Sequence, residues 1–159
     1  PHIRSAGDAA EAVRAAHYGP GGRGYAGSSR AAGYGLTPMA QHRAASAART
    51  CVIAQIEDVD ALETIDAIAA VPGVDALFVG RIDLTVALDA ATPDAPEVIA
   101  ATERIVAAAR AAGRPCGMFV PGNGDVTGWR ARGASLFLQS SDHAMMRSGA
   151  ALLRAACTG

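Results

Sequence analysis

The sequence predicts an α/β fold built on a parallel sheet, from three observations. Short, continuous apolar runs alternate with longer amphipathic stretches from Cys51 onward, the rhythm of βα units whose strands are buried on both faces. Half of the residues are hydrophobic but only 4% are aromatic, and the apolar set is dominated by alanine, which suits helices packed closely on a sheet. The length of 159 residues is one domain's worth, yet well short of the ~250 that a closed eight-strand barrel usually takes. On pattern alone, a partial (β/α) barrel and a small open sheet both fit.

The elements follow in order. Residues 5–18 read as a helix with Ser5 as N-cap and Asp8 three positions on, a start resembling a capping box. The stretch from Gly19 to Gly35, which carries Arg23, Arg30 and two tyrosines before Gly35, is too rich in glycine for a regular element and reads as a loop. Residues 38–48 form a second helix. The run CVIAQIE, Cys51 to Glu57, reads as a buried strand ending in a carboxylate. Asp60 caps a helix to about Ala70, with Glu63 at the reciprocal position, and Val71-Pro72-Gly73 stops it. Val74 to Gly80 is the next strand, after which RIDLTVAL turns away. Pro96 to Ala112 is a long amphipathic helix with Ile99, Ile105 and Val106 on its apolar side, ended by Gly113. Arg114 to Val120 is a third strand, a short helix surrounds Trp129, and Ala134 to Ser140 is a fourth strand. Asp142 opens a final helix to about Ala156. The strands are expected to be parallel, adjacent in sequence order and covered by helices on the outer side only, within a single domain spanning residues 1–159.

Composition excludes several functions. A net charge of −1 gives no basic field for nucleic acid or an anionic membrane, and no apolar run approaches a membrane span. Three cysteines, Cys51, Cys116 and Cys157, form neither a disulfide framework nor a zinc pattern. Cys51 and Cys116 read as small buried hydrophobes, and the default setting is reducing and cytoplasmic. All 14 basic residues are arginine, so no lysine in these residues can form a Schiff base or serve a P-loop. The chain begins at Pro1, directly against a helical segment, and is expected to be part of something longer.

Parallel βα units present the C-terminal ends of their strands on one side, where ligands bind. Glu57 ends one strand, and Asp83 follows the next by three residues. Adjacent strands lie about 4.8 Å apart, so both carboxylates can reach one cation. Two hard oxygen ligands with no His or Cys beside them favour Mg²⁺ or Mn²⁺ over zinc. Acidic residues also start helices well, and spacing alone leaves these two readings evenly balanced.

The strings IAQIED (53–58), VPGVDALFVG (71–80) and the following x-x-D-L (Asp83, Leu84) resemble the metal-binding core of the HpcH/HpaI family of 2-oxo-acid aldolases. PHIRSAGDAAEAV, GGRGY, AAGRPCGMF and LQSSDHAMM resemble further stretches of that family in the same order. The resemblance implies a (β/α)8 TIM-barrel type fold, here incomplete, with about the C-terminal four to five βα units present and the N-terminal strands missing. It implies Glu57 and Asp83 as metal ligands for Mg²⁺ or Mn²⁺, with Co²⁺ also admissible. Gln55, Gly80, Ile82 and Asp83 would contact substrate: Gln55 through its amide, and the backbone around Ile82 and Asp83 by receiving the pyruvate carboxylate. Gly80 would let the backbone approach the ligand. The implied activity is a divalent-metal-dependent carbon–carbon lyase, cleaving or forming 2-oxo-acid aldols with pyruvate as the enolate component. Its partners would be a small-molecule 2-oxo acid and an aldehyde, with a homo-oligomer as the complete assembly.

Two departures stand out. The usual proline of the metal turn is Arg81, expected to pair on the surface or to meet an acidic or phosphorylated substrate. The family's proton-transfer histidine, its acidic partner and its oxo-polarising arginine match no residue here; His2, His17, His42 and His143 fall elsewhere, so catalytic groups are expected upstream of Pro1 and the chain alone is expected to be inactive. Rival readings are an acyl-CoA lyase resembling the citrate lyase β-subunit, in which Arg81 and Arg30 would suit CoA phosphates, and a non-catalytic α/β binding module.

Overall fold

In the computed structural model, which describes residues 1–158, four parallel strands form one sheet in the order β1-β2-β3-β4. They span Ile53–Ile56, Ala76–Val79, Cys116–Val120 and Leu136–Gln139. The register aligns Ile56 with Val79 and Val79 with Met118, and Met118 with Phe137. Alternate residues therefore share a face. One face carries Ala54, Ile56, Leu77, Val79, Cys116, Met118 and Val120, all buried in the core. The other carries Ile53, Phe119 and Leu138, all exposed.

Helices account for the asymmetry. Helix α1 (Ala6–Ala16) starts at Ser5, whose hydroxyl accepts from the Asp8 N–H at 3.1 Å. Asp8 returns the bond one residue further back than expected, accepting from the Arg4 N–H. Helix α2 (Met39–Arg49) precedes β1, and α6 (Pro96–Ala111) begins with proline at its first position, where no N–H is needed. Helix α6 buries Ile105, Val106, Ala108 and Ala109 beside Leu77 and Met118 in the same core. Gly113, with φ 68°, ends that helix in the left-handed region that glycine adopts without strain. Helices α7 (Asn123–Ala131) and α8 (Asp142–Thr158) follow β3 and β4. Among the described residues no helix is long and apolar enough to cross a membrane.

Four expectations need correction. The helix expected from Asp60 to Ala70 is two short ones, α3 (Asp60–Glu63) and α4 (Ile65–Ala69), and Asp60 lies inside the first rather than capping it. The break falls at Thr64, whose hydroxyl donates to the Arg4 carbonyl at 3.1 Å. The RIDLTVAL stretch is a helix, α5 (Arg81–Ala87). Burial of Leu84 and Thr85 supports it, and the Thr85 hydroxyl donates to the Arg81 carbonyl. Cys51 is exposed, because the strand begins at Ile53, whereas Cys116 is buried as expected. Arg81 is buried rather than on the surface.

Two local features were not legible. The Ile3 N–H donates to the Gln55 carbonyl at 3.2 Å, so the first residues lie along the outer edge of β1. Within the glycine-rich stretch, Arg30–Gly35 forms tight turns, with Gly33 and Tyr34 both at positive φ.

Candidate active site

Gly80, immediately after β2, decides what can sit beside it. A Cβ built there would lie 2.5 Å from Glu57 Oε2, 2.7 Å from Glu57 Cβ and 3.2 Å from Gln55 Nε2. The bare Cα thus opens the space into which both side chains fold. Glu57 is only 3% exposed. Its Oε2 accepts from Gln55 Nε2 at 2.5 Å and its Oε1 from the His2 backbone N–H at 2.8 Å. Burying a carboxylate is costly without a compensating charge. Among the described residues no arginine pairs with it, and the nearest cation former is His2 Nδ1 at 3.5 Å.

The neighbouring Asp58 is treated differently. It accepts from His2 Nδ1 at 3.1 Å and pairs with Arg4 Nε at 3.2 Å. Burial opposes its ionisation, but the hydrogen bonds from Arg4 and His2 outweigh it and hold the carboxyl below its usual range. Asp58 has an arginine beside it, whereas Glu57 has two N–H donors and His2 Nδ1 at 3.5 Å.

Asp83 lies in the first turn of α5. It is exposed and makes no hydrogen bond or ion pair among the described residues. No side chain caps α5, and the first N–H groups of any helix lack intrahelical acceptors, so the backbone around Ile82 and Asp83 has donors to offer. Gln55, Gly80, Ile82 and Asp83 line one cavity of about 360 Å³. Glu57 is not among its lining residues; it lies behind Gln55 and Gly80. No group of three or more His, Cys, Asp or Glu side chains able to hold a metal occurs among the described residues.

Arg81, singled out in the sequence, also lines the cavity, together with Pro93, Asp94, Phe119, Pro121 and Asp125, which the sequence reading missed. Phe119 was findable from its place one residue from buried Met118 in an alternating strand. Asp125 was findable by the rule that singled out Asp83, an acid just past a strand end. The Arg81 contacts had no local signal: its Nη2 donates to the Pro93 carbonyl at 2.6 Å and to Asp94 Oδ1 at 2.9 Å.

The histidines stand apart from this cavity. His17 closes α1. His42 is buried between the rings of Tyr18 and Tyr25, at 5.7 and 5.8 Å. His143 is exposed at the start of α8 beside Asp142. Arg30 opens the turns of the glycine-rich stretch.

Comparison with known proteins shows which family the chain resembles. The chain is 36% identical over 154 residues to a 5-keto-4-deoxy-D-glucarate aldolase of Salmonella arizonae. It is 35% identical over 150 residues to the protein of that name in Citrobacter koseri. These alignments cover 94% and 93% of this chain but 58% of each relative, so the chain spans under two thirds of their length. An HpcH/HpaI aldolase/citrate lyase family protein from Burkholderia cenocepacia superimposes with a TM-score of 0.90 at 33% identity, covering 99% of this chain and 63% of that one. An HpcH/HpaI aldolase from Desulfitobacterium hafniense gives 0.84 at 33% identity, covering 98% and 61%. The profile of the HpcH/HpaI aldolase/citrate lyase family matches residues 1–148. With one-sided helices on an ordered parallel sheet, a barrel section rather than an open two-sided sheet, the chain belongs to that family.

Proposed function

We propose that this chain carries the cation-binding part of a divalent-metal-dependent aldolase, a carbon–carbon lyase that cleaves or forms 2-oxo-acid aldols with pyruvate as the enolate component. The observation that carries the reading is Glu57: a buried carboxylate, oriented by two neutral N–H donors, facing the bare Cα of Gly80. No arginine pairs with it among the described residues and His2 Nδ1 stands 3.5 Å away, so a divalent cation would offset its charge further. Glu57 and Asp83 are the residues to hold it, and their all-oxygen chemistry suits Mg²⁺ or Mn²⁺, with Co²⁺ also admissible. Once bound, the cation offers the 2-oxo acid an electrophile and offsets negative charge that develops as the carbon–carbon bond breaks.

The chain's own groups then have distinct tasks. Gln55 fixes Glu57 with one N–H and keeps the rest of its amide for the 2-oxo acid. The backbone of Ile82 and Asp83 at the start of α5 receives the carboxylate, where helix N–H groups favour an anion. Gly80 keeps the approach open. A general base is required, and no histidine here lines the cavity, so we assign the base to strands upstream of Pro1 that complete the barrel. The complete protein is read as a cytoplasmic homo-oligomer acting on a small 2-oxo acid and an aldehyde; its free thiols fit a reducing compartment. The relatives' names make a keto-deoxy sugar acid the first substrate to assay, and they favour the aldolase over an acyl-CoA lyase.

The test is calorimetry with Mn²⁺ and pyruvate on the 159-residue chain, its Glu57→Ala and Asp83→Ala variants, and a protein extended at its N-terminus. Weak Mn²⁺-dependent pyruvate binding is expected in the chain and none in either variant. Retro-aldol release of pyruvate is expected only from the extended protein, because general acid–base help alone is worth about 10²–10⁴ in rate. Unchanged Mn²⁺ dependence in either variant would reject the assignment.

A further inference from the structure

Arg81 occupies a costly place for a guanidinium: its side chain is 8% exposed. Its partners meet part of that cost only, since Nε is buried without a hydrogen-bond partner among the described residues. Nη2 donates to the Pro93 carbonyl and to Asp94 Oδ1, at 2.6 and 2.9 Å. The guanidinium carbon also sits 4.9 Å from the centre of the Trp129 ring in α7, within cation–π range. One side chain rooted in the metal turn therefore joins two other pieces of the cavity wall, the 89–95 segment and α7.

The segment's other backbone anchors lie at its two ends. The Asp89 and Ala90 N–H groups donate to the Val86 and Thr85 carbonyls, the Ala95 N–H donates to the Thr92 carbonyl, and the Ala95 carbonyl accepts from Val98 and Ile99. Asp94 is 82% exposed, so solvent screens its attraction to Arg81. The Pro93 carbonyl bond and the aromatic contact carry more of the hold. Pro93 and Asp94 both line the cavity that Gln55 and Asp83 also line.

We propose that Arg81 is a specificity-determining positioning residue: it clasps Pro93 and Asp94 in place as the outer wall of the cavity and so limits the size of aldehyde admitted beside the 2-oxo acid. The proposal rests on the aldolase reading above. Arg81 acts through Pro93 and Asp94, to which its Nη2 is committed, and not by direct contact with the aldehyde. Releasing the clasp enlarges the aldehyde end and leaves the Glu57–Gly80 end as it was.

The experiment compares Arg81→Met, Arg81→Lys and Asp94→Asn in the full-length protein, each first shown to be folded by circular dichroism. Hydrogen exchange of the 90–95 amides reads the clasp directly. Selectivity between a long and a short aldehyde, as the ratio of kcat/KM values with pyruvate and Mn²⁺, reads its consequence. Arg81→Met is expected to speed exchange and to raise the long-to-short ratio by about tenfold each, with KM for pyruvate unchanged. Tenfold corresponds to ~1.4 kcal/mol, near the lower end of what a hydrogen bond from a charged donor contributes. Arg81→Lys should recover part of both effects, and Asp94→Asn should show the smallest change. An unchanged ratio overturns the proposal, whether or not exchange rises, and so does a raised KM for pyruvate with unchanged selectivity. A wild-type protein without metal-dependent aldol turnover overturns the aldolase reading instead, and the aldehyde assignment falls with it.

Discussion

Along β1, Ala54 and Ile56 are buried against helices, while Ile53, between Val52 and Ala54, is exposed and Gln55 faces the cavity. The same alternation recurs on β3, where Met118 is fully buried and Phe119 is 44% exposed. Both faces are apolar, but only one is packed by this chain. The lesson is a division of labour: the covered face holds the sheet together, and the other face, with the strand ends above it, holds the groups suited to chemistry.

That division can be broken most directly by truncation. Met118→Ala or Ile56→Ala should cost about 2–5 kcal/mol in urea unfolding, the range for emptying a buried Met or Ile site. Phe119→Ala should cost about 1 kcal/mol or less, because its ring has little packing to lose. Equal costs would mean that the second face is covered in solution, and the comparison would fail.

A second substitution sharpens it at the strand ends. Gly80→Ala should lower stability by about 1–3 kcal/mol through overpacking against Glu57 and weaken Mn²⁺-dependent pyruvate binding about 10–100-fold, the usual scale for disturbing groups that orient a metal ligand. The physical cause is displacement of Glu57, since the added methyl would lie 2.5 Å from Oε2. Binding at the wild-type affinity would show that Glu57 does not need this space.

Thiol chemistry gives the smallest and simplest readout. Burial on the covered face pushes the Cys116 thiol up to about 12, against an ordinary 9.0. Only the thiolate reacts, so a thiol reagent at pH 8 should modify exposed Cys51 and Cys157 promptly and Cys116 only after unfolding. The sign for stability follows. Above pH 9 the unfolded chain ionises this thiol and the folded one does not, so the folded state loses stability as pH rises through that range. Rapid modification of Cys116 in the native protein would show that the covered face opens.

Much of this was readable in advance, for identifiable reasons. The four strands are short apolar runs between helix stops, and their order follows from sequence because each βα unit is local. The Ser5 cap and the Pro96 start are local signals as well. What misled the reading was also physical. Thr64 breaks a helix by bonding to Arg4, 60 residues away, and α5 is stabilised by burying Leu84 rather than by any helix-favouring composition. Arg81 looked like a surface cation because charge is visible in a sequence and burial is not.

By itself, the sequence determined the alternation of strand and helix, the placement of Glu57 and Asp83 just past two adjacent strand ends, and the absence of lysine from these residues. Periodicity, caps and composition are properties of neighbouring residues, so they survive in one dimension. The tertiary structure alone decided that His2 and Gln55 orient Glu57, that Gly80 is bare because Glu57 leans over it, and that Arg81 turns inward to Pro93, Asp94 and Trp129. Each of those depends on which distant groups share a buried space. There an unpaired charge is too costly to leave, and a single added carbon has nowhere to go.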